Sequence, residues 1–106
     1  MNILVTGGSG FIGTNLVTDL LDNGHNVTIY DKQKSETYPD LCIVADIRDK
    51  EKLNHSMHGV DAVYHLAAVL SAIGESRPNV AWQVNMNGLY NMLEAARQYG
   101  CALFFP

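Results

Sequence analysis

Glycines near the start of the chain, followed by an acid, are the residues whose spacing points most directly to chemistry. Gly8, Gly10 and Gly13 fit the pattern G-x-G-x-x-G, Gly7, Gly10 and Gly13 fit the looser G-x-x-G-x-x-G, and Asp31 ends the next apolar run. Bare peptide groups at the start of a helix bind phosphate oxygens, and an acid at the tip of the following strand accepts hydrogen bonds from a ribose. The pattern therefore predicts that the chain binds a dinucleotide.

The residues around the glycines predict the elements that such a site needs. We expect a strand over 2–6, an amphipathic helix over 11–23 and a second strand over 26–31. A glycine motif alone is weak evidence, whereas a motif between a strand and a helix, with an acid ending the next strand, is strong. The alternative is a glycine-rich turn in an α/β domain that binds no ligand.

Asp31 also bears on which dinucleotide would bind. A carboxylate at this position repels a 2′-phosphate, so the sequence favours NAD as the cofactor over NADP. Lys32 and Lys34 follow directly and would soften that preference.

The rest of the chain continues the alternation of strands and helices. We expect strands over 41–45, 61–66 and 101–105, and helices over 49–57 and 79–99. This alternation predicts an α/β fold, a doubly wound parallel sheet of Rossmann type with strand order 3-2-1-4-5. We interpret residues 1–106 as an incomplete NAD(P)-binding domain, truncated after a fully buried fifth strand, with the C-terminal catalytic and substrate-binding part absent.

Composition excludes several classes of function. A net charge of −4 without a basic patch argues against nucleic acid as a partner. The chain has no long apolar run and no basic leader, so we expect neither a membrane span nor a signal peptide, and a cytoplasmic location. Cys42 and Cys101 lie in apolar runs and are expected to be reduced core residues. The histidines show no spacing typical of a metal site, so we expect no bound metal.

Small residues at the end of the fourth predicted strand would admit a ligand. Ala67 and Ala68 lack bulk, so the nicotinamide side of a cofactor can pass over this strand end, although a plain core strand has the same composition. We interpret His65, inside the strand, as a core histidine with a hydrogen-bond partner.

The segment after the third predicted strand has two open interpretations. Asp46 and Ile47 would contact adenine, the acid at its amino group and the isoleucine on its face. In the alternative, this is an ordinary turn into a helix, with Asp46 or Asp49 as the N-cap.

Polar residues in and before the last helix are further candidates. Ser71 would hold a substrate or bond its own backbone. Asn85 and Asn87 would bond nearby backbone or a water close to the active site, or face solvent. Because apolar side chains occupy more than one face of this helix, we expect part of it to contact another subunit.

Five segments carry a resemblance to a known family: VTGGSGFIG, IYD, ADIRD, DAVYHLAA and VNMNGLYNMLEAA. Together they resemble the extended short-chain dehydrogenases/reductases of the NAD-dependent epimerase/dehydratase group. The stretch HLAAVLSAIGESRPNVAWQVNMNGLYNMLEAA, followed by LFFP, is similar to the L-threonine 3-dehydrogenases of the short-chain type. Nucleotide-sugar epimerases share much of the same framework.

The resemblance implies a role for each matching residue. The pyrophosphate would be held by Gly7, Gly10 and Gly13 and by the backbone amides of Phe11 and Ile12. The adenosine ribose would be bound by Asp31, and adenine would be contacted by Asp46 and Ile47. The cofactor would be lined by Leu66, Ala67 and Ala68, the substrate would be contacted by Ser71, and a proton relay would be supported by Asn85.

In that family the catalytic serine or threonine, and then a Tyr-x-x-x-Lys pair, follow the fifth strand. We expect this pair to be absent from the chain, which would then be inactive alone. The resemblance implies the NAD-binding portion of an oxidoreductase that transfers a hydride from a small secondary alcohol, such as L-threonine, within a homodimeric parent. The alternatives are a nucleotide-sugar epimerase or dehydratase, and a non-catalytic, truncated module for NAD binding or protein interaction.

Overall fold

A computed structural model describes residues 1–67 and 78–104, and for residues 78–84 it describes the backbone only. Strands and helices alternate along this part of the chain. In order, the elements are β1 (Asn2–Thr6), α1 (Phe11–Asp22), β2 (Asn26–Asp31), a 3-10 turn (Pro39–Leu41), β3 (Cys42–Val44), α2 (Lys50–Ser56), β4 (Ala62–His65), α3 (Pro78–Tyr99) and β5 (Ala102–Phe104). The turn at Pro39–Leu41 lies between β2 and β3, where sequence reasoning predicted no helix.

The five strands form a single parallel sheet with the order β3-β2-β1-β4-β5. This confirms the predicted α/β, doubly wound fold of Rossmann type. The strand β1 lies at the centre, where Thr6 is in register with Tyr30 on one side and His65 on the other. The chain leaves β1 towards β2 and later returns to β4, so the strand order reverses beside Thr6. In open α/β sheets, ligands bind at this point of reversal.

Both faces of the sheet are covered, which explains why the strands are apolar on both sides. Along β1, Ile3 and Val5 belong to the core cluster beneath α1, and Leu4 belongs to the cluster beneath α2 and α3. The first cluster is completed by Val17, Leu20, Val27, Ile29 and Ala62, and the second by Tyr30, Ala45, Ile47, Leu53, Met57, Val63, Met92 and Ala95.

Two expectations about burial were wrong. The strand β5 is not fully buried, because it pairs only with β4 within the described residues and leaves Phe104 51% exposed. Cys42 and Cys101 are free thiols, as expected, but each is half-buried and packs against a core cluster instead of lying inside it. None of the described helices has the length and apolar character needed to cross a bilayer.

Candidate functional site

The turn after β1 runs against the end of β4. Gly7 has a φ of +71°, and its N–H donates to the carbonyl of Tyr30 over 2.9 Å. A Cβ atom at Gly7 would lie 2.8 Å from the carbonyl carbon of Leu66 and 2.9 Å from the nitrogen of Ala67. Only glycine fits both the backbone conformation and the contact. The turn therefore brings the first glycine of the motif directly onto the end of β4.

The other two glycines of the motif have different surroundings. A Cβ atom at Gly13 would overlap the carbonyl oxygen of Gly7 and lie 2.6 Å from Cα of Gly8, so Gly13 lets α1 pack closely on the turn. A Cβ atom at Gly10 would meet only the carbonyl oxygen of Gly7, at 3.8 Å. The space over Gly10 is therefore open, and a side chain there would fill it.

The start of α1 is suited to an anion. Gly10 is the N-cap and offers no side-chain acceptor to the first turn. The N–H groups of the first residues of a helix have no intrahelical partner, and the helix dipole favours negative charge beside them. Phe11 and Ile12 supply two of these peptide groups, and their side chains are 84% and 74% exposed. The open face at Gly10 and these amides fit a pyrophosphate.

Asp31 lies at the end of β2, and each oxygen of its carboxylate accepts a hydrogen bond from a backbone N–H. The N–H of Ser9 donates to Oδ2 over 3.0 Å, and the N–H of Gln33 donates to Oδ1 over 2.9 Å. The acid predicted to bind ribose is thus brought to the glycine turn itself. Sequence reasoning gave Ser9 no role, because the motif leaves its position unspecified.

A buried hydroxyl that sequence reasoning missed joins β1 to the end of β4. Thr6 is fully buried, and its Oγ1 accepts hydrogen bonds from the N–H groups of Leu66, at 3.1 Å, and Ala67, at 3.2 Å. The same oxygen lies 2.8 Å from Nδ1 of His65. The Leu66 N–H also reaches the carbonyl oxygen of Thr6, over 3.0 Å. With two N–H groups on its oxygen, the hydroxyl can still donate to Nδ1, an arrangement that fits an imidazole proton on Nε2.

The structure confirms that His65 is a core histidine with a partner. It is buried, and its burial lowers its pKa below the ordinary value, so the imidazole is neutral. One sequence signal for this network was available: a threonine ends an otherwise apolar strand immediately before the glycine turn.

The segment after β3 contains an ion pair and a helix cap. The guanidinium of Arg48 contacts both carboxylate oxygens of Asp46, and hydrogen bonding to Arg48 lowers the pKa of Asp46 to about 2. The N-cap of α2 is Asp49, whose Oδ1 accepts from the N–H of Lys52. The capping alternative is therefore correct for Asp49, and a contact between Asp46 and adenine stays a prediction.

Ile47, next in the chain, is buried against α3. A Cβ atom at Gly88 would lie 2.6 Å from its Cγ2, and the Nδ2 of Asn91 donates to its carbonyl over 3.2 Å. Asn91 is buried, whereas Asn87 is exposed and Asn85 half-buried. Asn91 thus joins α3 to the backbone of the segment after β3.

Several predicted roles are not tested. Ala68 and Ser71 lie outside the described residues. Asn85 lies on α3, and its support of a proton relay stays a prediction, as does the contact of Leu66 and Ala67 with a cofactor. Among residues 1–67 and 78–104, no group of three or more His, Cys, Asp or Glu is placed to hold a metal ion.

The expectation about the Tyr-x-x-x-Lys pair needs one correction. Tyr30 and Lys34 do have this spacing. Tyr30 lies on β2 in the core, its hydroxyl donates to the carbonyl of Asp46, and burial, with the nearby charges of Asp49 and Asp46, raises its pKa to about 12. A phenol buried this way is held in a structural bond, so the spacing here does not form a catalytic pair.

Comparison with known proteins finds a family model, curated relatives and solved structures that are similar to this chain. The model of the NAD dependent epimerase/dehydratase family matches residues 3–106. A 3-beta-hydroxysteroid dehydrogenase of Mycolicibacterium neoaurum is 37% identical over 110 aligned residues, which cover 96% of this chain and 30% of that protein. The chain thus spans about a third of the length of the curated relatives it matches.

Solved structures of proteins with two different activities have a fold similar to that of this chain. L-threonine dehydrogenase from Phytophthora infestans matches with a TM-score of 0.92 and 34% identity, over 100% of this chain and 36% of that one. UDP-glucose 4-epimerase of Thermus thermophilus, in complex with NAD, matches with a TM-score of 0.86 and 39% identity, over 94% of this chain and 35% of that one.

Proposed function

The chain belongs to the NAD dependent epimerase/dehydratase family, and from that premise we propose that it is the NAD-binding portion of an oxidoreductase acting on a small secondary alcohol. L-Threonine is the substrate that we favour. The observation that carries the proposal is the open face at Gly10, beside free helix N-terminal amides and close to the acid at the end of β2.

Each part of this chain has a binding task in the proposal. The amides of Phe11 and Ile12 hold the pyrophosphate, and the carboxylate of Asp31 accepts hydrogen bonds from the adenosine ribose. The backbone at Leu66 and Ala67, fixed by the hydroxyl of Thr6, lines the path towards the substrate. NAD, when bound, supplies the acceptor for the hydride of the alcohol carbon.

We propose that the groups that remove the hydroxyl proton are supplied by another part of the parent protein. We propose that this chain binds cofactor without catalysing the reaction alone, and that Asn85 supports the proton path in the parent. The parent is proposed to be a cytoplasmic homodimer that takes a small-molecule substrate.

A second candidate, a nucleotide-sugar epimerase or dehydratase, is favoured by the similarity to UDP-glucose 4-epimerases. The two candidates use the same cofactor site and differ in the substrate. Assay of the parent protein distinguishes them: formation of NADH that depends on L-threonine supports the first, and interconversion of UDP-sugars without net NADH supports the second.

Calorimetric titration of this chain with NAD tests the binding claim. Gly10→Val fills the open face with a side chain where the pyrophosphate is proposed to lie, so we expect NAD binding to be lost. The φ of −76° and ψ of 179° at Gly10 suit valine, so the fold should be retained. Asn15→Val, at an exposed position on the same helix, is the matched control and should bind NAD normally.

A folded wild-type chain that gives no heat with NAD would overturn the proposal. So would a folded Gly10→Val variant that binds NAD as tightly as the wild type does.

A further inference from the structure

Three hydrogen bonds form a closed ring that joins the glycine turn to the loop after β2. The N–H of Ser9 donates to Oδ2 of Asp31 over 3.0 Å, and the N–H of Gln33 donates to Oδ1 over 2.9 Å. The hydroxyl of Ser9 donates to the carbonyl of Gln33 over 2.7 Å. Each of the three residues is therefore bonded to the other two.

The ring leaves the Asp31 carboxylate able to accept more hydrogen bonds. Each carboxylate oxygen has two lone-pair sites, and each accepts one protein N–H within the ring. One site remains at each oxygen, which matches the two hydroxyls of a ribose. Asp31 is half-buried, so the carboxylate is open to a ligand while its orientation is fixed.

The ring also reaches the phosphate side of the site. Ser9 lies between the positive-φ residue Gly7 and the open face of Gly10. A bond from the Ser9 N–H to a carboxylate is charge-assisted and stronger than one to a neutral acceptor. The acid that would bind the ribose therefore also fixes the backbone that would bind the pyrophosphate.

We propose that Ser9 is a positioning residue for the ribose acceptor, and that Asp31 couples ribose recognition to the conformation of the pyrophosphate turn. The inference rests on the proposed function and deepens it. Loss of the Ser9 hydroxyl leaves the Gln33 carbonyl with only the weak donor Cys42 Sγ, at 3.7 Å, and so loosens the Gln33 N–H that orients the carboxylate. An amide in place of the carboxylate has one acceptor oxygen for the two N–H groups of Ser9 and Gln33, so one of them loses its acceptor and the turn loosens.

The test compares ADP with 2′,3′-dideoxy-ADP, which has the same diphosphate and lacks both ribose hydroxyls. Calorimetry gives the dissociation constant of each for the wild-type chain, Asp31→Asn, Ser9→Ala and Ser9→Thr. Asp19→Asn removes the same charge from an exposed position further along α1 and is the matched control.

We expect Asp31→Asn to weaken binding of dideoxy-ADP about fivefold, although removal of the negative charge by itself favours a diphosphate. We expect Ser9→Ala to reduce the wild-type preference for ADP over dideoxy-ADP about threefold, and Ser9→Thr, which keeps the hydroxyl, to restore it. Asp19→Asn should leave both ligands unaffected.

Unchanged or tighter binding of dideoxy-ADP by Asp31→Asn would overturn the coupling, and an unchanged preference in Ser9→Ala would overturn the role of Ser9. A wild-type chain that binds neither ligand would overturn the proposed function as well. Hydrogen exchange without ligand separates the two failures, because the ring predicts faster exchange of the Ser9 or the Gln33 amide in Asp31→Asn whether or not a nucleotide binds.

Discussion

The hydroxyl of Thr6 lies 2.8 Å from Nδ1 of His65 in a fully buried position where β1 and β4 end side by side. The same hydroxyl accepts from the N–H groups of Leu66 and Ala67, the two residues against which Gly7 packs. One side chain thereby satisfies the polar groups at the point where the strand order reverses. Its loss would leave the half-buried N–H of Ala67 and the buried imidazole of His65 without this partner, while the N–H of Leu66 would keep the carbonyl oxygen of Thr6.

Thr6→Val keeps the shape of the side chain and removes its hydroxyl. Because unsatisfied buried groups remain, we expect the free energy of unfolding to fall by about 2–4 kcal/mol. Urea denaturation followed by circular dichroism measures the change. Thr28→Val, on β2, is the control, since the Thr28 side chain makes none of the hydrogen bonds found among the described residues, and it should change stability by less than about 0.5 kcal/mol. Equal losses in the two variants would show that the network contributes nothing.

His65 makes the stability of the fold depend on pH in a specific direction. Its pKa is lowered by burial, so the unfolded chain binds the proton more readily than the folded chain does. By linkage, the His65 contribution is fully present above the ordinary pKa of 6.5 and is lost as the pH falls from there towards the lower folded value.

The slope contributed by His65 can reach about 1.4 kcal/mol per pH unit. We expect His65→Asn, whose amide oxygen can replace Nδ1 as an acceptor, to unfold with a weaker pH dependence between about pH 6.5 and pH 5. Urea titrations at a series of pH values measure this slope. His55→Asn, at an exposed position, should keep the wild-type slope. If the pH dependence of stability falls equally in both variants, it does not arise from His65.

Most element boundaries could be predicted because they depend on local patterns, and the order of the strands follows from the alternation of strands and helices with right-handed crossovers. The predicted helix over 11–23 corresponds to α1 at Phe11–Asp22, since the glycine after the apolar run ends it. The exposure of β5 was not predicted, because an apolar run has the same composition whether it lies at the edge of a sheet or inside it.

The hydrogen bonds at the site could not be predicted for a different reason. Thr6 and His65 are 59 positions apart, and Asn91 and Ile47 are 44 apart. Several polar residues have the same sequence surroundings as these hydrogen-bonding residues. Which of them become hydrogen-bond partners is therefore known only when the packing of the strands and helices is known. The asparagines of α3 illustrate this, because sequence alone does not separate buried Asn91 from exposed Asn87.

Asn91 anchors α3 to the segment after β3. Its side chain is buried and donates to the carbonyl of Ile47. Leucine has a volume similar to that of asparagine but cannot donate a hydrogen bond, so we expect Asn91→Leu to lower the free energy of unfolding by about 1–3 kcal/mol. Thermal and urea denaturation measure it. The same substitution at exposed Asn87 is the control and should have little effect; a comparable loss there would point to a general effect of leucine on the helix.

Asp31 is expected to determine the preference between cofactors. A 2′-phosphate near its carboxylate is repelled by an energy of about 1 kcal/mol in water and more in partly buried surroundings, so we expect wild-type binding of NAD to be at least about fivefold tighter than that of NADP. Asp31→Ala should bring the two affinities together, while Asp40→Ala, at an exposed position, should leave the ratio unchanged. Tighter binding of NADP by the wild type would contradict this role of Asp31.

The outer face of α3 carries an apolar stripe formed by Met86, Tyr90 and Leu93, each about half exposed. The spacing of four and then three residues places them along one side of the helix, where an apolar surface is stabilised by burial against a second copy of the chain. In the homodimer that we propose for the parent protein, we expect Leu93→Glu to shift the protein from dimer to monomer, because a carboxylate would be buried without a partner in the contact. Sedimentation velocity of the parent protein measures the change. Gln98→Glu adds the same charge at an exposed position off the stripe and should leave the dimer intact, and a dimer that persists in Leu93→Glu would place the contact on another surface.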